Sequence, residues 1–269
     1  MVETVVSVGF PVDETLRIKK NRLIPERGLK GGEKRVSIVT GTHGDELEGQ
    51  YVCYELQRRI REHYDCLTGI VDVYPALNPL GIDSITRGIP AFDLDMNRIF
   101  PGCENGSMPE YIASKIVEDL SGSTMVIDIH ASNIFLQEIP QVRINTLTKE
   151  TLVPYAKLLN IDYIWIHSAA TVLESTLAHS LNSIGTPTLV VEMGVGMRIT
   201  KAYGNQLVDG ILVLMKELGI WRGETITPKE PIISKDGEVS FINAGKSGVF
   251  MPNVEHWKDV KKGTISEIF

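Results

Sequence analysis

"SIVTGTHGDELEG" occupies residues 37–49, and how it is read decides the fold. It begins as an apolar strand and ends in Thr42-His43-Gly44-Asp45-Glu46. A strand that needed only to turn into a helix could close with Asn, Ser or Gly. This one closes with an imidazole and two carboxylates, the composition of a metal cup. His43 and Glu46 are spaced His-x-x-Glu, so a strand end and the first turn of the next helix can converge on one point above the sheet edge. Zinc accepts imidazole nitrogen and carboxylate oxygen, and a catalytic zinc takes three protein ligands and keeps one position open. Gly44 between the two lets the backbone turn sharply without a Cβ clash. Standing alone, the pattern is also that of a surface loop with a chance His and Glu.

Outward from this stretch, strands alternate with helices. Residues 35–41, 69–79, 124–130, 162–168 and 186–194 read as strands, rich in β-branched residues and bounded by turn formers. Residues 45–63, 108–120 and 201–218 carry apolar residues at helical spacing, for example Val52, Leu56 and Ile60, or Leu207, Ile211, Leu214, Met215 and Leu218. The helix over 108–120 has Ser107 and Glu110 in capping-box spacing and Pro109 in its first turn. Alternation of this kind predicts an α/β fold, a mixed and mostly parallel sheet sandwiched by helices. In such folds ligands bind beyond the carboxyl ends of the strands. After Trp221 the helical period stops, and 223–269 reads as a small all-β module of short strands. It ends abruptly at Phe269, as a truncated or unusually short module would. The expected division is therefore a domain over 1–222 followed by this module.

Composition narrows the function classes. The 269 residues suffice for one sizeable domain with an appendage, and no apolar run is long enough to span a membrane. Without a leader at Met1, a cytoplasmic protein is expected. The cysteines, Cys53, Cys66 and Cys103, are too scattered for a disulfide framework or a thiolate metal site. A formal charge of −7 argues against nucleic acid as a partner, while a local arginine cluster can still hold a small anion. Oligomeric state is not legible. "AGKSG" (244–248) imitates the end of a phosphate-binding loop, but Ser240 stands where its first glycine is required.

A third metal ligand should end another strand, and "MVIDIHAS" supplies His130. Asp128, two residues earlier, shares its face and can accept a hydrogen bond from a ligand histidine. "TPTLVVEMG" delivers Glu192 after an apolar run; it can serve as a general base or form a structural salt bridge. The long irregular segment 78–102 holds Arg87, Asn97 and Arg98. Loops of that length are usually functional. A guanidinium fork there can clamp a substrate carboxylate, with Asn97 adding hydrogen bonds, or Arg87 can instead polarise a scissile carbonyl.

Taken in order, "GTHGDELEG", "NPLG", the Arg87 loop, "DLDMNRIFPG", "DIHAS" and "VEMG" resemble the succinylglutamate desuccinylase/aspartoacylase family, a branch of the zinc carboxypeptidase-like amidohydrolases. The match runs from about residue 35 to 196. The resemblance implies that His43, Glu46 and His130 bind one zinc per chain. It further implies that Glu192 is the general base, that Arg87 steadies the oxyanion, and that Asn97 with Arg98 grips the substrate carboxylate. The family pattern Asp-Leu-Asn-Arg reads Asp95-Met96-Asn97-Arg98 here, which keeps the Asn-Arg pair. The short C-terminal module is the larger departure, since in relatives it narrows the substrate entrance.

The expected activity is zinc-dependent hydrolysis of the amide bond of an N-acyl amino acid or a similar small carboxylate. A metallocarboxypeptidase acting on peptide C-termini would use the same metal, base and clamp. A non-catalytic carboxylate-binding protein would need the clamp but not Glu192.

Overall fold

The computed structural model describes residues 1–10, 12–168, 174–240, 242–243, 245–264 and 267–268. Its strands are β1 (Val2–Gly9), β2 (Thr15–Leu23), β3 (Arg35–Thr40), β4 (Ile70–Tyr74), β5 (Met125–His130), β6 (Glu138–Asn145), β7 (Tyr163–His167), β8 (Thr188–Gly194) and β9 (Ile232–Lys235). They form one mixed sheet in the order β1-β2-β4-β3-β5-β8-β6-β7-β9. The centre, β4-β3-β5-β8, is parallel, as are β6-β7-β9, while β1-β2, β2-β4 and β6-β8 are antiparallel. The α/β architecture expected from strand-helix alternation is therefore present, with an antiparallel hairpin added at one edge.

Helices cover both faces because the central strands are apolar on both. Ile38, Val73, Ile127, Ile129, Leu189, Val191 and Met193 pack against α1 (Glu48–Glu62) and α6 (Lys201–Glu217), joined by Leu152 and Ala156 of α4 (Lys149–Ala156). On the opposite face Val39, Tyr74 and Val126 pack against Ile112 and Ile116 of α3 (Met108–Leu120) and Leu177 and Leu181 of α5 (Leu177–Ser183). Side chains alternate along a strand, so with Ile127, Ile129, Leu189 and Val191 committed to the first core, Asp128, His130 and Glu192 share the second face. They do so at the carboxyl ends of adjacent parallel strands, with His130 and Glu192 directly in register.

The helix expected over 45–63 begins at Glu48, so Glu46 sits in a turn ahead of α1 rather than in its first turn. Of the stretch expected to form a separate β module, β9 instead extends the main sheet beside β7. Beyond it the described residues add one short pair, Met251–Pro252 with Glu267–Ile268. The strand expected to end at Phe269 has its last residue outside the described residues, as is Ala244 of "AGKSG". No helix among the described residues is long and apolar enough to cross a membrane.

Candidate active site

Two loops lock the site's first element in place. Gly44 N donates to Thr86 O at 3.0 Å, and a Cβ on Gly44 would fall 1.9 Å from the carbonyl carbon of Gly81. Glycine is thus required at 44 for close approach between "THGDE" and "NPLG", not for a sharp turn. The left-handed residue of this loop is Gly41, with φ of +70°. Asn78 caps α2 (Pro79–Ser84) by accepting from Gly81 N at 2.9 Å and donates from Nδ2 to Gly88 O at 2.9 Å, which draws the following Arg87 loop over the site.

His43, Glu46 and His130 converge as a buried group whose potential ligand atoms all lie within 4.8 Å of one another. His43 Nδ1 is 2.7 Å from Glu46 Oε1, and His130 Nδ1 is 3.1 Å from Glu46 Oε2. The other ring nitrogens face carboxylates: His43 Nε2 lies 2.9 Å from Asp95 Oδ1, and His130 Nε2 lies 3.2 Å from Asp128 Oδ2 without alignment for a hydrogen bond. Ala131 N adds a 3.0 Å donation to Glu46 Oε2. Burial opposes charge on both imidazoles, yet the surrounding carboxylates win and draw both pKa values upward. Burial likewise opposes ionisation of Glu46, and its hydrogen bonds to His130 and His43 outweigh it, holding the carboxyl well below the usual range.

That charge balance suits a bound cation. A neutral imidazole carries one N–H, and each ring here has a carboxylate at both nitrogens, so the group favours added positive charge, supplied by protons or by a cation. Two nitrogens and a carboxylate are a donor set zinc accepts, and the carboxylates beyond them match the partners that orient ligand histidines. The residues fit the group.

Around this cluster opens a cavity of about 700 Å³, bordered by Arg87, Asn97, Arg98, Arg143 and Glu192. All seven residues singled out in the sequence meet there. Arg87 reaches Glu46 Oε1 at 3.2 Å and Asp95 Oδ2 at 3.2 Å. Asn97 uses its Oδ1 to accept from Leu177 N at 2.9 Å, pinning its segment to the start of α5. Arg98 Nη1 donates to Asn97 O at 2.7 Å. Burial pushes the Glu192 carboxyl up to about 7 against the opposing pull of Arg143 and His130.

Three participants were not singled out in the sequence. Asp95 binds His43, Arg87 and the backbone N of Asn97 at once, so it ties the His43–Glu46–His130 group to the Arg87 loop and the Asn97–Arg98 segment. Arg143 lies 3.4 Å from Glu192, and Glu138 holds Arg143 at 2.6 Å. The usable signal for Arg143 was strand alternation, with Gln141, Arg143 and Asn145 on one face of β6 and apolar Val142 and Ile144 on the other.

Comparison with known proteins agrees with this geometry. Residues 32–218 match the succinylglutamate desuccinylase/aspartoacylase catalytic domain. The chain belongs to that family. Among its relatives is the N-alpha-acetyl-L-2,4-diaminobutyric acid deacetylase of Halomonas elongata, 28% identical over 222 residues that make up 80% of this chain. This chain spans 64% of that deacetylase's length. The fold is shared with a succinylglutamate desuccinylase/aspartoacylase from Rhodobacter sphaeroides, at a TM-score of 0.80 and 20% identity over 99% of this chain and 82% of the other. It is shared equally with the product-bound ectoine utilization protein of Ruegeria pomeroyi, at a TM-score of 0.81 and 21% identity over the same shares, 99% and 82%. The family and the Halomonas relative are deacylases, and the strand-end cluster lies inside the matched region.

Proposed function

We propose that this family member is a zinc-dependent hydrolase that cleaves the amide bond of an N-acyl amino acid or a similar small carboxylate. One observation carries the reading: a single cavity gathers the His43–Glu46–His130 group, Glu192 and three arginines. His43, Glu46 and His130 would hold the ion, one per chain. When bound, zinc supplies Lewis acidity and makes water a far stronger nucleophile at neutral pH.

The chain's own residues do the rest. Glu192, in register with His130, takes the proton of the attacking water on its carboxylate and later gives it to the nitrogen of the leaving amine. A carboxyl pushed up to about 7 exchanges protons at neutral pH in both directions, as a base that becomes an acid must. Arg87, held by Asp95 and Glu46 at the cavity edge, offers N–H groups to the developing oxyanion, and one such donor is typically worth about 3–4 kcal/mol of barrier. Asn97 and Arg98 take the substrate carboxylate, which fixes the scissile bond relative to Glu192. The same proposal keeps a catalytic domain over 1–222 that also takes in β9, and leaves the rest of 223–269 as the C-terminal module.

The test is a turnover screen of zinc-loaded protein with Nα-acetyl-L-2,4-diaminobutyrate, an N-succinylated glutamate and an N-acylated aspartate, set against short peptides. Faster release from an acyl amino acid than from any peptide is the expected result. Faster peptide cleavage would turn the reading to a carboxypeptidase. Binding of the acyl amino acids with no turnover would turn it to a carboxylate-binding protein.

A further inference from the structure

The proposed base has a neighbour that the hydrolytic scheme leaves without a task. Arg143 projects from β6, the strand antiparallel to β8, where Gln141 lies opposite Glu192 and Arg143 opposite Val190. Its side chain therefore leaves the sheet on the same face as Glu192, one diagonal step away. Three contacts fix the guanidinium. Nη1 is 3.4 Å from Glu192 Oε1, Nη2 donates to Glu138 Oε1 at 2.6 Å, and Cζ lies over the Trp165 ring, 5.6 Å from its centroid. A planar fork held by a carboxylate on one arm and seated over an aromatic ring has little freedom left.

The arrangement is not built for stability alone. Arg143 Nε and Glu138 Oε2 are buried with no hydrogen-bond partner, a cost that a purely structural ion pair would remove by closing both ends. β6 and β8 are already joined by their backbone ladder, so they do not need this bridge to stay together. Glu192, by contrast, sits near the end of β8 with the Arg143 guanidinium beside its carboxylate, and it must face the His43–Glu46–His130 group to act.

We propose that Arg143 is a positioning residue for hydrolysis: its guanidinium, anchored by Glu138 and Trp165, holds the Glu192 carboxylate turned toward the His43–Glu46–His130 group. This rests on the hydrolase reading. Arg143 acts through Glu192 and does not grip the substrate, which is the task of Asn97 and Arg98. Loss of Arg143 therefore lowers the rate of the chemical step and leaves ground-state binding nearly unchanged.

The experiment compares Arg143→Met, Arg143→Lys, Glu138→Gln and Glu192→Gln with the wild type, all zinc-loaded. The first probe is Nα-acetyl-L-2,4-diaminobutyrate, or the best-turned-over acyl amino acid of the screen. Arg143→Met should lower kcat by about 10- to 100-fold, the range typical of a partner that orients a functional group, with zinc content and KM held near wild type. Arg143→Lys keeps the charge without the fork and should recover part of the loss. Glu138→Gln loosens the same guanidinium from its far side and should lower kcat less, which keeps the proposal open to test if Arg143→Met does not fold. A crystal structure of Arg143→Met should show the Glu192 carboxylate rotated away from its wild-type position. A change in KM alone would overturn the proposal, because it would make Arg143 a substrate contact. Wild-type kcat in Arg143→Met beside an inactive Glu192→Gln would also overturn it while leaving the hydrolase reading intact. Full activity in Glu192→Gln would instead defeat the hydrolase reading itself. An unmoved Glu192 in the Arg143→Met crystal counts against the positioning role whether or not any substrate is turned over.

Discussion

Two buried charged clusters lie on this sheet, and they are built on opposite plans. One, near the amino ends of β3 and β5, joins Lys20 and Arg22 of β2, Arg35 of β3, Asp72 and Tyr74 of β4 and Asp119 of α3. Asp72 accepts from Arg22 at 2.8 and 2.7 Å and lies 3.5 Å from Lys20, while Asp119 accepts from Lys20 at 2.7 Å and from the Tyr74 hydroxyl at 2.6 Å. Not one polar side-chain atom of this group is left buried without a partner. The other, at the carboxyl ends, is the candidate active site. There Asp128 Oδ1 and Oδ2, His130 Nε2, Glu138 Oε2 and Arg143 Nε are all buried without a hydrogen bond. The contrast teaches where ligands belong. A structural ion network closes on itself, whereas the candidate site leaves polar atoms unpaired in the shell that surrounds the His43–Glu46–His130 group and Glu192.

Mutations should separate the two plans. Replacing Glu192 by Gln at the unfinished cluster is expected to lower kcat by about 10²- to 10⁴-fold, the usual worth of a general base, with no loss of folding stability. Steady-state kinetics beside a denaturant melt check both halves, and a destabilised variant with normal kcat would reverse the assignment. Replacing Asp72 by Ala at the closed cluster leaves Arg22, Arg35 and Lys20 facing a gap. It should cost about 3–5 kcal/mol of stability, read from urea melts, while the folded fraction keeps its zinc.

The pH dependence of stability sharpens the difference. Glu192 binds its proton more tightly when folded, with its pKa pushed from 4.5 up to about 7. A raised carboxyl pKa means the folded state holds extra proton, so stability is greatest below the unfolded value and is lost as pH rises from 4.5 to about 7. Metal-free Glu192→Gln should therefore match the wild type near the bottom of that window and exceed it by about 1–3 kcal/mol above it. Equal pH profiles for the two proteins would show that Glu192 is not held in that environment. Finally, Asp95→Asn should weaken zinc affinity by about 10- to 100-fold in a chelator competition, because it removes the charge behind His43. Unchanged affinity would mean that Asp95 serves the clamp alone.

The same contrast explains what was legible in the sequence. The central strands and the three long helices announce themselves through apolar periodicity, and each of the seven site residues sits at a strand end or in a long loop. The β1–β2 hairpin does not announce itself. Thr15–Leu23 reads as a charged segment, and Lys20 is buried only because Asp119 and Asp72, far along the chain, neutralise it. β6 was masked by Pro140 and by its polar alternate residues, and with it went Arg143 and Glu138. Asp95 carries no local signal of its role, since His43, Arg87 and the backbone N of Asn97 meet it only in the folded chain. Residues that hold a ligand repeat a local pattern, whereas residues that hold those residues are fixed by tertiary neighbours that no local window contains.

Every role assigned above depends on a metal held by His43, Glu46 and His130. The most direct measurement is zinc content by elemental analysis of the purified wild type and of His130→Ala. About one zinc per chain is expected in the wild type, held by one set of three protein ligands with a fourth position open, and a sharp fall in the variant. No bound metal in the wild type, even after zinc is supplied, would contradict those roles.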